Sequence, residues 1–459
     1  MQDGKKTLLV LGLGESGMAM ARLAVREGYR LRAADSRQLF TRTAELGRIA
    51  PDAQITMGDL PEYLIHGVDM VGLSPGLSQN EAAVQAARRL GIPVLGEIEF
   101  FARRLAGRAP VVAITGTNGK TTVTSMVGAM GNACGKRAEV AGNISPAALT
   151  ALLDAEDKGV MPELWVLEVS SFQLETTQSL RPAVATVLNL TEDHLDRYHT
   201  MAEYAAAKAR VFAGESCVQV LNRQDAAVMA MAIGSRRVIT FGTDVPAGDD
   251  DFGVRVLADM PWLARGNRCL MPCSQLSLIG EHNIANALAA LALGTAIELP
   301  MEGMLTALHR FRGLPHRLEH VASFEGVDFI DDSKGTNVGA TVAALKGLGR
   351  KAVVIAGGDG KEQDFSPLNE AFAQAARAVV LIGADARRIE LAVAGCGVPL
   401  VHARDMEEAV ALGWRHAQPG DAVLLSPACA SMDMFRDYKH RAQVFIDAVQ
   451  ALIARGGPR

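Results

Sequence analysis

The sequence predicts an α/β fold of three domains, and three observations predict it. Short apolar runs alternate with helix-period segments along the whole chain. Two of the strand-to-helix turns are rich in glycine, one at residues 12–17 and one at residues 115–122. The 459 residues are too many for a single core, and typical domain sizes divide them into roughly three.

The elements follow in order. Residues 8–11 are an apolar strand, Gly12, Gly14 and Gly17 make a tight turn, and a helix runs through Met20, Leu23 and Ala24 until Gly28 ends it. A second strand ends at Asp35, which completes a βαβ unit, and further short strands are expected at residues 68–73 and 93–95. Residues 103–110 read as a linker. A new strand at residues 111–114 enters the second glycine turn, and strands at 164–167 and 183–188 extend this unit. Residues 242–253 read as a surface loop, and a helix rich in Ala and Leu covers 283–295. A second boundary lies near Arg312-Gly313-Leu314-Pro315. Beyond it, strands at 327–330, 352–355, 379–382 and 423–425 alternate with helices, which implies a third, mostly parallel sheet. The expected domains are 1–104, 105–313 and 314–459: a Rossmann-like first domain, a central P-loop domain and a Rossmann-like third domain.

Composition narrows the function classes. A net charge of -5 leaves no basic footprint for nucleic acid. No apolar run reaches the length of a membrane span, and the amino terminus lacks the apolar stretch of a signal peptide. The six cysteines are scattered without a zinc spacing, which suits reduced thiols in a cytoplasmic protein.

The second turn carries the chemistry. It reads Thr115-Gly116-Thr117-Asn118-Gly119-Lys120-Thr121-Thr122, between a buried strand and a helix. Glycines let backbone N–H groups converge on phosphate oxygens, and the helix N-terminus adds partial positive charge. Lys120 suits the β- and γ-phosphates of ATP, and the Thr121 hydroxyl suits Mg²⁺. The usual loop has its first glycine where this chain has Ile114, so the motif is a variant. Glu168, at the end of the strand Trp165-Val166-Leu167, stands where such enzymes hold a metal ion. The first turn, with Asp35 downstream, fits a dinucleotide fingerprint, yet it specifies only a diphosphate. A nicotinamide cofactor and plain strand-on-helix packing both remain readings of it.

The loop Gly116-Thr117-Asn118-Gly119-Lys120-Thr121-Thr122 resembles that of the Mur ligase family and its folate-conjugating relatives. Further motifs follow in that family's order: Glu168 to Glu175 (EVSSFQLE), Thr191 to Tyr198 (TEDHLDRY), His282-Asn283-Ile284-Ala285-Asn286, Leu314-Pro315-His316-Arg317, Asp332 to Asn337 (DSKGTN), Gly357 to Lys361 (GGDGK) and Leu425 to Ser431 (LSPACAS). They span nearly the whole chain. Three of them, SSFQLE, DSKGTN and SPACAS, are similar to the branch of the family that adds D-glutamate, and the D-N-P-R-type motif of the diaminopimelate-adding branch is missing. The resemblance implies that ATP phosphorylates the carboxylate of UDP-N-acetylmuramoyl-L-alanine and that the D-glutamate amine displaces the phosphate, in peptidoglycan precursor synthesis.

It also implies roles. Lys120 and Arg317 would serve the γ-phosphate, within an ATP site of Gly116, Thr117, Asn118, Gly119, Lys120, Thr121, Thr122, Asn283, Arg317 and Asp332. Asn283 would meet adenine and Asp332 the ribose. Thr121 and Glu168 would hold one Mg²⁺, His194 a second, and Lys208 would be carbamylated by CO2 into a carboxylate-like ligand. Lys120, Glu168, His194 and Lys208 form the expected catalytic set. Glu15, Ser16, Asp35, Ser36, Arg37, Ser74 and Gly76 would meet the UDP part, and Asn143, Gln173 and His194 the muramoyl-alanine end. Thr336, Lys361, Ser431, Met432 and Tyr438 would take D-glutamate. Glu15 departs from the family's usual apolar residue, and Asp331 replaces what is often a neutral one. The partners expected are the three small-molecule substrates alone, with no nucleic acid and no membrane, for a cytoplasmic monomer. Closure of the third domain onto the others is expected, with hinges near Arg108 and Gly313. The competing readings are another Mur or folyl-type ligase, a nicotinamide-dependent oxidoreductase and a nucleotide-binding regulator.

Overall fold

The computed structural model describes residues 5–37, 42–194, 197–278 and 280–457. Its strands form three sheets. The first contains β1 (Thr7–Leu11), β2 (Arg30–Asp35), β3 (Gln54–Met57), β4 (Met70–Leu73) and β5 (Val94–Gly96), in the order β3-β2-β1-β4-β5, all parallel. The second contains β6 (Val111–Thr115), β7 (Ala138–Gly142), β8 (Leu164–Glu168), β9 (Val184–Val187), β10 (Val218–Asn222), β11 (Val238–Phe241), β12 (Phe252–Leu257), β13 (Met260–Arg265) and β14 (Arg268–Pro272), in the order β14-β13-β12-β11-β10-β9-β6-β8-β7. The third contains β15 (Glu319–Phe324), β16 (Val327–Asp331), β17 (Ala352–Gly357), β18 (Ala376–Ile382), β19 (Leu400–His402) and β20 (Ala422–Leu425), in the order β15-β16-β20-β17-β18-β19.

The central strands are the continuous apolar runs of the sequence. All residues of β6, β8, β9, β17 and β20 are buried, as parallel strands covered by helices on both faces must be. The strands that the sequence reading did not name lie mostly toward the sheet edges. The β12-β13-β14 meander is antiparallel and half exposed, and its first turn has Ala258 and Asp259 at φ +50 and +59. Such a turn normally carries Gly or Asn, so this one gives no sequence signal. β15 is an antiparallel edge, which makes the third sheet mixed.

The linker expected at residues 103–110 is shorter. The helix Glu97–Leu105 runs through Arg103 and Arg104 and ends where Ala106 turns left-handed at φ +48. Arg103 stays helical because its Nε donates to Glu99 one turn back, at 2.7 Å. The same helix joins the first two domains. Ile98 and Phe101 are buried in one apolar cluster with Trp165 and Leu167 of β8, and the Phe101 and Trp165 rings meet edge-on at 5.0 Å. Polar contacts frame this seam. Glu15 Oε1 accepts from the N–H of Ala147 (3.0 Å) and Glu97 from that of Leu149, so two carboxylates of the first domain cap the helix Ala148–Lys158. Arg22, Arg26 and Arg104 pair with Asp154, Glu156 and Asp157 on that helix. Those ion pairs are partly exposed to water and contribute little, so the shared apolar cluster is the stronger fastening.

Among the described residues, no helix is long and apolar enough to cross a membrane. All six cysteines are free thiols. Four of them are buried, while Cys134 and Cys269 are only half-buried rather than in the core.

One glycine of the first turn tests the packing. A Cβ on Gly17 would lie 1.8 Å from the carbonyl oxygen of Gly12, so helix and turn touch there. Gly17→Ala is expected to destabilise the protein by about 3 kcal/mol. Denaturant unfolding of the full chain checks this, and an unshifted midpoint would show that the turn yields freely.

Candidate active site

The phosphate loop is built by register. Ile114 is fully buried in β6, paired with Thr186 of β9 and Glu168 of β8, so the strand has not yet ended there. The turn begins at Gly116, whose φ of +149 suits glycine and whose absent Cβ would press on Leu188 at 3.0 Å. Gly119 has φ +83, and a Cβ there would meet Asn286 Oδ1 at 2.5 Å. This is why the first glycine stands at 116. The helix Lys120–Ala133 then starts without any side-chain cap, which leaves its first N–H groups free for an anion.

Two lysines meet at one carbonyl. Lys120 Nζ donates to the backbone oxygens of Gly116 (2.9 Å) and Thr117 (2.7 Å). Lys208 Nζ donates to the same Gly116 oxygen at 2.9 Å and lies 4.5 Å from the centre of the Tyr204 ring. Lys208 is only 2% exposed, although it sits in the helix Met201–Ala209, which reads as plain surface. Burial, and then the charge of Lys120, hold its amine well below the usual lysine range. Lys120 is lowered too, chiefly by burial.

Facing them is Glu168, buried at the end of β8. Its Oε1 accepts from Asn143 Nδ2 at 2.7 Å, while its Oε2 has no hydrogen-bond partner. An unpartnered buried carboxylate oxygen is costly unless a cation satisfies it. Beside it the His194 ring packs on Phe172, with centroids 4.7 Å apart. Burial brings its imidazole down to about 4 despite the pull of Asp193, so it stays neutral near pH 7, the form that ligates metals. Glu168 Oε2, the neutral imidazole and the Thr121 hydroxyl near the head of the helix are donors of the kind a divalent ion takes.

The loop is pinned from outside. The Thr117 hydroxyl donates to Thr191 O (3.1 Å) and is buried, so this side chain shapes the loop and leaves phosphate contact to the backbone. Asn189, which the sequence reading missed, makes a two-way bond with the Asn118 backbone at 2.8 and 3.1 Å. Leu195 and Asp196, inside the Thr191–Tyr198 motif, lie outside the described residues.

Residues of the third domain meet the loop directly. Arg317 Nη2 donates to Thr121 Oγ1 at 3.3 Å. Asn118 and Asn337 exchange amide contacts at 3.1 and 3.3 Å, and Asn337 also reaches Asp193 at 3.3 Å. Lys361 Nζ lies 3.7 Å from Asp193 Oδ1. The conformation is therefore one in which the third domain touches the central one. Between them is a cavity lined by Asn118, Gly119, Thr122 and Phe241, by Asn283 and Asn286 of the helix Glu281–Ala296, and by Arg317 and Asp332. Burial pushes the Asp332 carboxyl up to about 7, although it accepts from Ser426 Oγ at 2.8 Å.

The third-domain candidates follow three neighbouring parallel strands, β16, β20 and β17. Thr336 comes after β16, Lys361 after β17 and Ser431 after β20, and a bridge between Asp359 and Ala430 holds the last two loops together. Gln363, fully inside, ties all three: its Oε1 accepts from Val338 N (3.0 Å), and its Nε2 donates to Gly360 O (2.8 Å) and Ala428 O (3.4 Å). It and the buried Arg441, which donates to Ser333 and Cys429, were not singled out from sequence. Met432 is exposed, which leaves its backbone as the part that suits a contact. Tyr438 opens the helix Tyr438–Ala454, and its ring lies 3.8 Å under Lys334 Nζ.

The first-domain candidates cluster at the carboxyl ends of β1, β2 and β4, where the strand order reverses and ligands of such sheets bind. Two of them, and Gln173 of the central domain, turn out to be engaged within the protein. The Glu15 carboxylate faces Ser145 Oγ (2.7 Å) and Ala147 N, away from the glycine turn, which leaves only its backbone for a phosphate. Asp35 accepts from Leu13 N (2.7 Å) and from Arg37 through Nε (2.8 Å) and Nη2 (2.7 Å). Burial opposes its ionisation, but these bonds win and bring it down to about 2. Gln173 is the N3 residue of a capping box with Ser170, so its carbonyl is committed to the helix Ser171–Glu175. Ser16 and Ser74 are at the crevice, with Ser36, Arg37 and Gly76 exposed around it. Arg197 closes one side, donating to Pro75 O and Leu77 O at 3.2 Å while pairing with Glu175 at 2.6 Å.

Residues 6–96 match the model of the Mur ligase MurD-like N-terminal domain, 114–294 the Mur ligase middle domain and 316–429 the Mur ligase glutamate ligase domain. The UDP-N-acetylmuramoylalanine--D-glutamate ligase of Nitrosospira multiformis is 53% identical over 458 residues, covering 98% of this chain and 97% of that protein. The protein of the same name from Aromatoleum aromaticum is 53% identical over 455 residues, covering 97% of each. Among solved structures, the UDP-N-acetylmuramate-alanine ligase of Thermotoga maritima superposes with a TM-score of 0.63 at 18% identity, covering 97% of this chain and 99% of that one. A pseudomurein peptide ligase type C from Methanothermus fervidus gives 0.60 at 17% identity, covering 98% and 100%. Three family models in chain order, and relatives more than half identical from end to end, leave one conclusion: this chain belongs to the Mur ligase family.

Proposed function

We propose that the chain is an ATP-dependent ligase that joins D-glutamate to UDP-N-acetylmuramoyl-L-alanine through an acyl phosphate. The observation that carries the reading is the meeting of the third domain with the phosphate loop, where Arg317 reaches Thr121 and Asn337 reaches Asn118. The first sheet offers a crevice for a nucleoside diphosphate, the second the loop, and the third a cation, Lys361, that leans across to Asp193. The relatives' shared name supplies the identity of the two substrates.

On this reading ATP lies in the cavity between the central and third domains. Asn283 faces the base, Asp332 the ribose, and the N–H groups of Gly119 to Thr122 the phosphates. Lys120 leaves its carbonyls and Arg317 its threonine to take the γ-phosphate. Both neutralise charge while a carboxylate attacks a phosphoryl group that would otherwise repel it. Thr121, Glu168, His194 and a carbamylated Lys208 would hold Mg²⁺, which would supply further charge neutralisation, and the ligand set is large enough for two ions. Ser16, Ser36, Arg37, Ser74 and Gly76 receive the uridine diphosphate, and Asn143 orients Glu168. D-glutamate brings two carboxylates, met by Lys361, Thr336, Ser431, the Met432 backbone and the wall of Tyr438. Its amine attacks the acyl phosphate, an amide forms, and phosphate leaves. Every group named comes from a single chain, so a monomer suffices. Both nucleotide substrates place the work in the cytoplasm.

The test is phosphate release from ATP with Mg²⁺ and UDP-N-acetylmuramoyl-L-alanine, measured across a panel of D- and L-amino acids. Release should require D-glutamate. Release confined to L-lysine or a diamino acid would overturn the substrate assignment.

A further inference from the structure

We infer that Asp331 is a positioning residue for Arg317: it anchors the corner of chain that aims this guanidinium at the phosphate loop. The inference rests on the proposed reaction, in which Arg317 serves the γ-phosphate of ATP.

Asp331 is fully buried at the end of β16, and both of its oxygens are engaged. Oδ1 accepts from the backbone N–H of Ser333 at 2.8 Å, and Oδ2 lies 2.7 Å from Nδ1 of His316. His316 belongs to a different segment, the passage from the central domain into β15. That passage is strained. His316 has φ +65 and Leu318 has φ +46, so two left-handed non-glycine residues flank Arg317. Such backbone persists only where its surroundings over-determine it.

Several fastenings converge on His316, while on the other side of Arg317 the Leu318 N–H is held by Asp332. Its N–H donates to Glu319 Oε2 at 2.8 Å, its carbonyl accepts from Lys334 N at 3.2 Å, and its ring meets Tyr438 edge-on at 6.1 Å. Glu319 is exposed, so water competes for it, whereas Asp331 is shielded. The anchor of the imidazole is therefore the carboxylate behind it. One residue on, Arg317 reaches Thr121 Oγ1 at 3.3 Å. The two consecutive acids divide their tasks: Asp332 lines the nucleotide cavity, and Asp331 turns back to hold the arginine's support. A carboxylate accepts at both oxygens and so holds the imidazole through a proton on Nδ1, whereas an amide could meet Ser333 N–H and Nδ1 together only by donating to Nδ1, with the imidazole proton moved to Nε2.

The experiment compares Asp331→Ala, Asp331→Asn, Arg317→Ala and the Asp331→Ala/Arg317→Ala double variant of the full chain. Steady-state constants are measured for all three substrates, and Mg·ATP binding is titrated with no acceptor present. Asp331→Ala should weaken Mg·ATP binding and raise the KM for ATP by about 10- to 100-fold, with the other two KM values within about twofold, because a misaimed cation loses its contact without leaving the site. Asp331→Asn should fall between, and the double variant should be no worse than Arg317→Ala alone. Losses that multiply in the double variant, KM values that rise alike for all three substrates, or wild-type behaviour of Asp331→Ala would overturn the inference. If Asp331→Ala does not fold, Asp331→Asn against Arg317→Ala decides by the same criteria. Should the wild type fail to use D-glutamate, the proposed substrate falls while the Mg·ATP titrations still decide the role of Asp331.

Discussion

Replacing Lys120 by alanine is expected to leave a folded protein that releases phosphate from ATP at least about a thousandfold more slowly than the wild type. The direction follows from what this side chain does on either side of binding. Nζ is curled onto the carbonyls of Gly116 and Thr117, so it helps the loop keep its shape. That contribution is replaceable, because the loop is also held by Asn189, by Thr191 and by the turns that glycine permits at 116 and 119. Two neutral acceptors losing one donor costs about 1–2 kcal/mol. The catalytic loss is of another size. A carboxylate attacking a triphosphate brings negative charge onto negative charge, and in a water-poor cleft each cation aimed at the transferring group is worth several kcal/mol. The measurement is phosphate release together with a thermal melt. A variant that melts like the wild type and turns over within about tenfold of it would remove Lys120 from the mechanism.

How much of this was legible in the sequence depends on how local each signal is. The phosphate loop needs only a strand, two glycines, a lysine and a helix in succession, all within residues 111–133, and the structure builds them in that order. The buried parallel strands were readable for the same reason, since covered strands are apolar runs. The edges were not, because β12 and β13 mix exposed and buried residues, no residue of β15 is fully buried, and the β12–β13 turn at Ala258 and Asp259 lacks the usual glycine. Side-chain commitments were the least readable. Glu15, Asp35 and Gln173 are each of the right type beside a ligand crevice, yet what occupies them comes from elsewhere: a helix start some 130 residues on, an arginine two residues away, a cap of their own helix. Asn337 lay inside a recognised motif without a role, since its partners Asn118 and Asp193 belong to another domain. Only the fold sets such pairs side by side.

Lys208 is the extreme case, and the second large effect is expected there. Lys208→Ala should lose activity by about a thousandfold, and small carboxylates such as acetate or formate should restore part of it, whereas small amines should not. The surroundings of the residue argue for this asymmetry. An ammonium at Nζ is nearly fully buried, shares its one backbone acceptor, Gly116 O, with the cation of Lys120, and has the Tyr204 face beside it. Burial and a like charge both favour the neutral amine, and a neutral amine is what reacts with carbon dioxide. The carbamate so formed is an anion. It would turn repulsion from Lys120 into attraction and would set a second carboxylate-like group beside Glu168, whose Oε2 already lacks a partner. If the working form is that anion, a diffusible carboxylate can occupy the space left by alanine. If the working form is the ammonium, an amine should rescue instead, and a mass spectrum of the native protein should show no carbon dioxide adduct on the peptide containing Lys208. Removing dissolved bicarbonate gives an independent check on the wild type: activity should fall and return on its addition, while a bicarbonate-independent rate would count against the carbamate. The mirrored rescue, carboxylate against amine, separates the two chemistries without relying on loss of function alone.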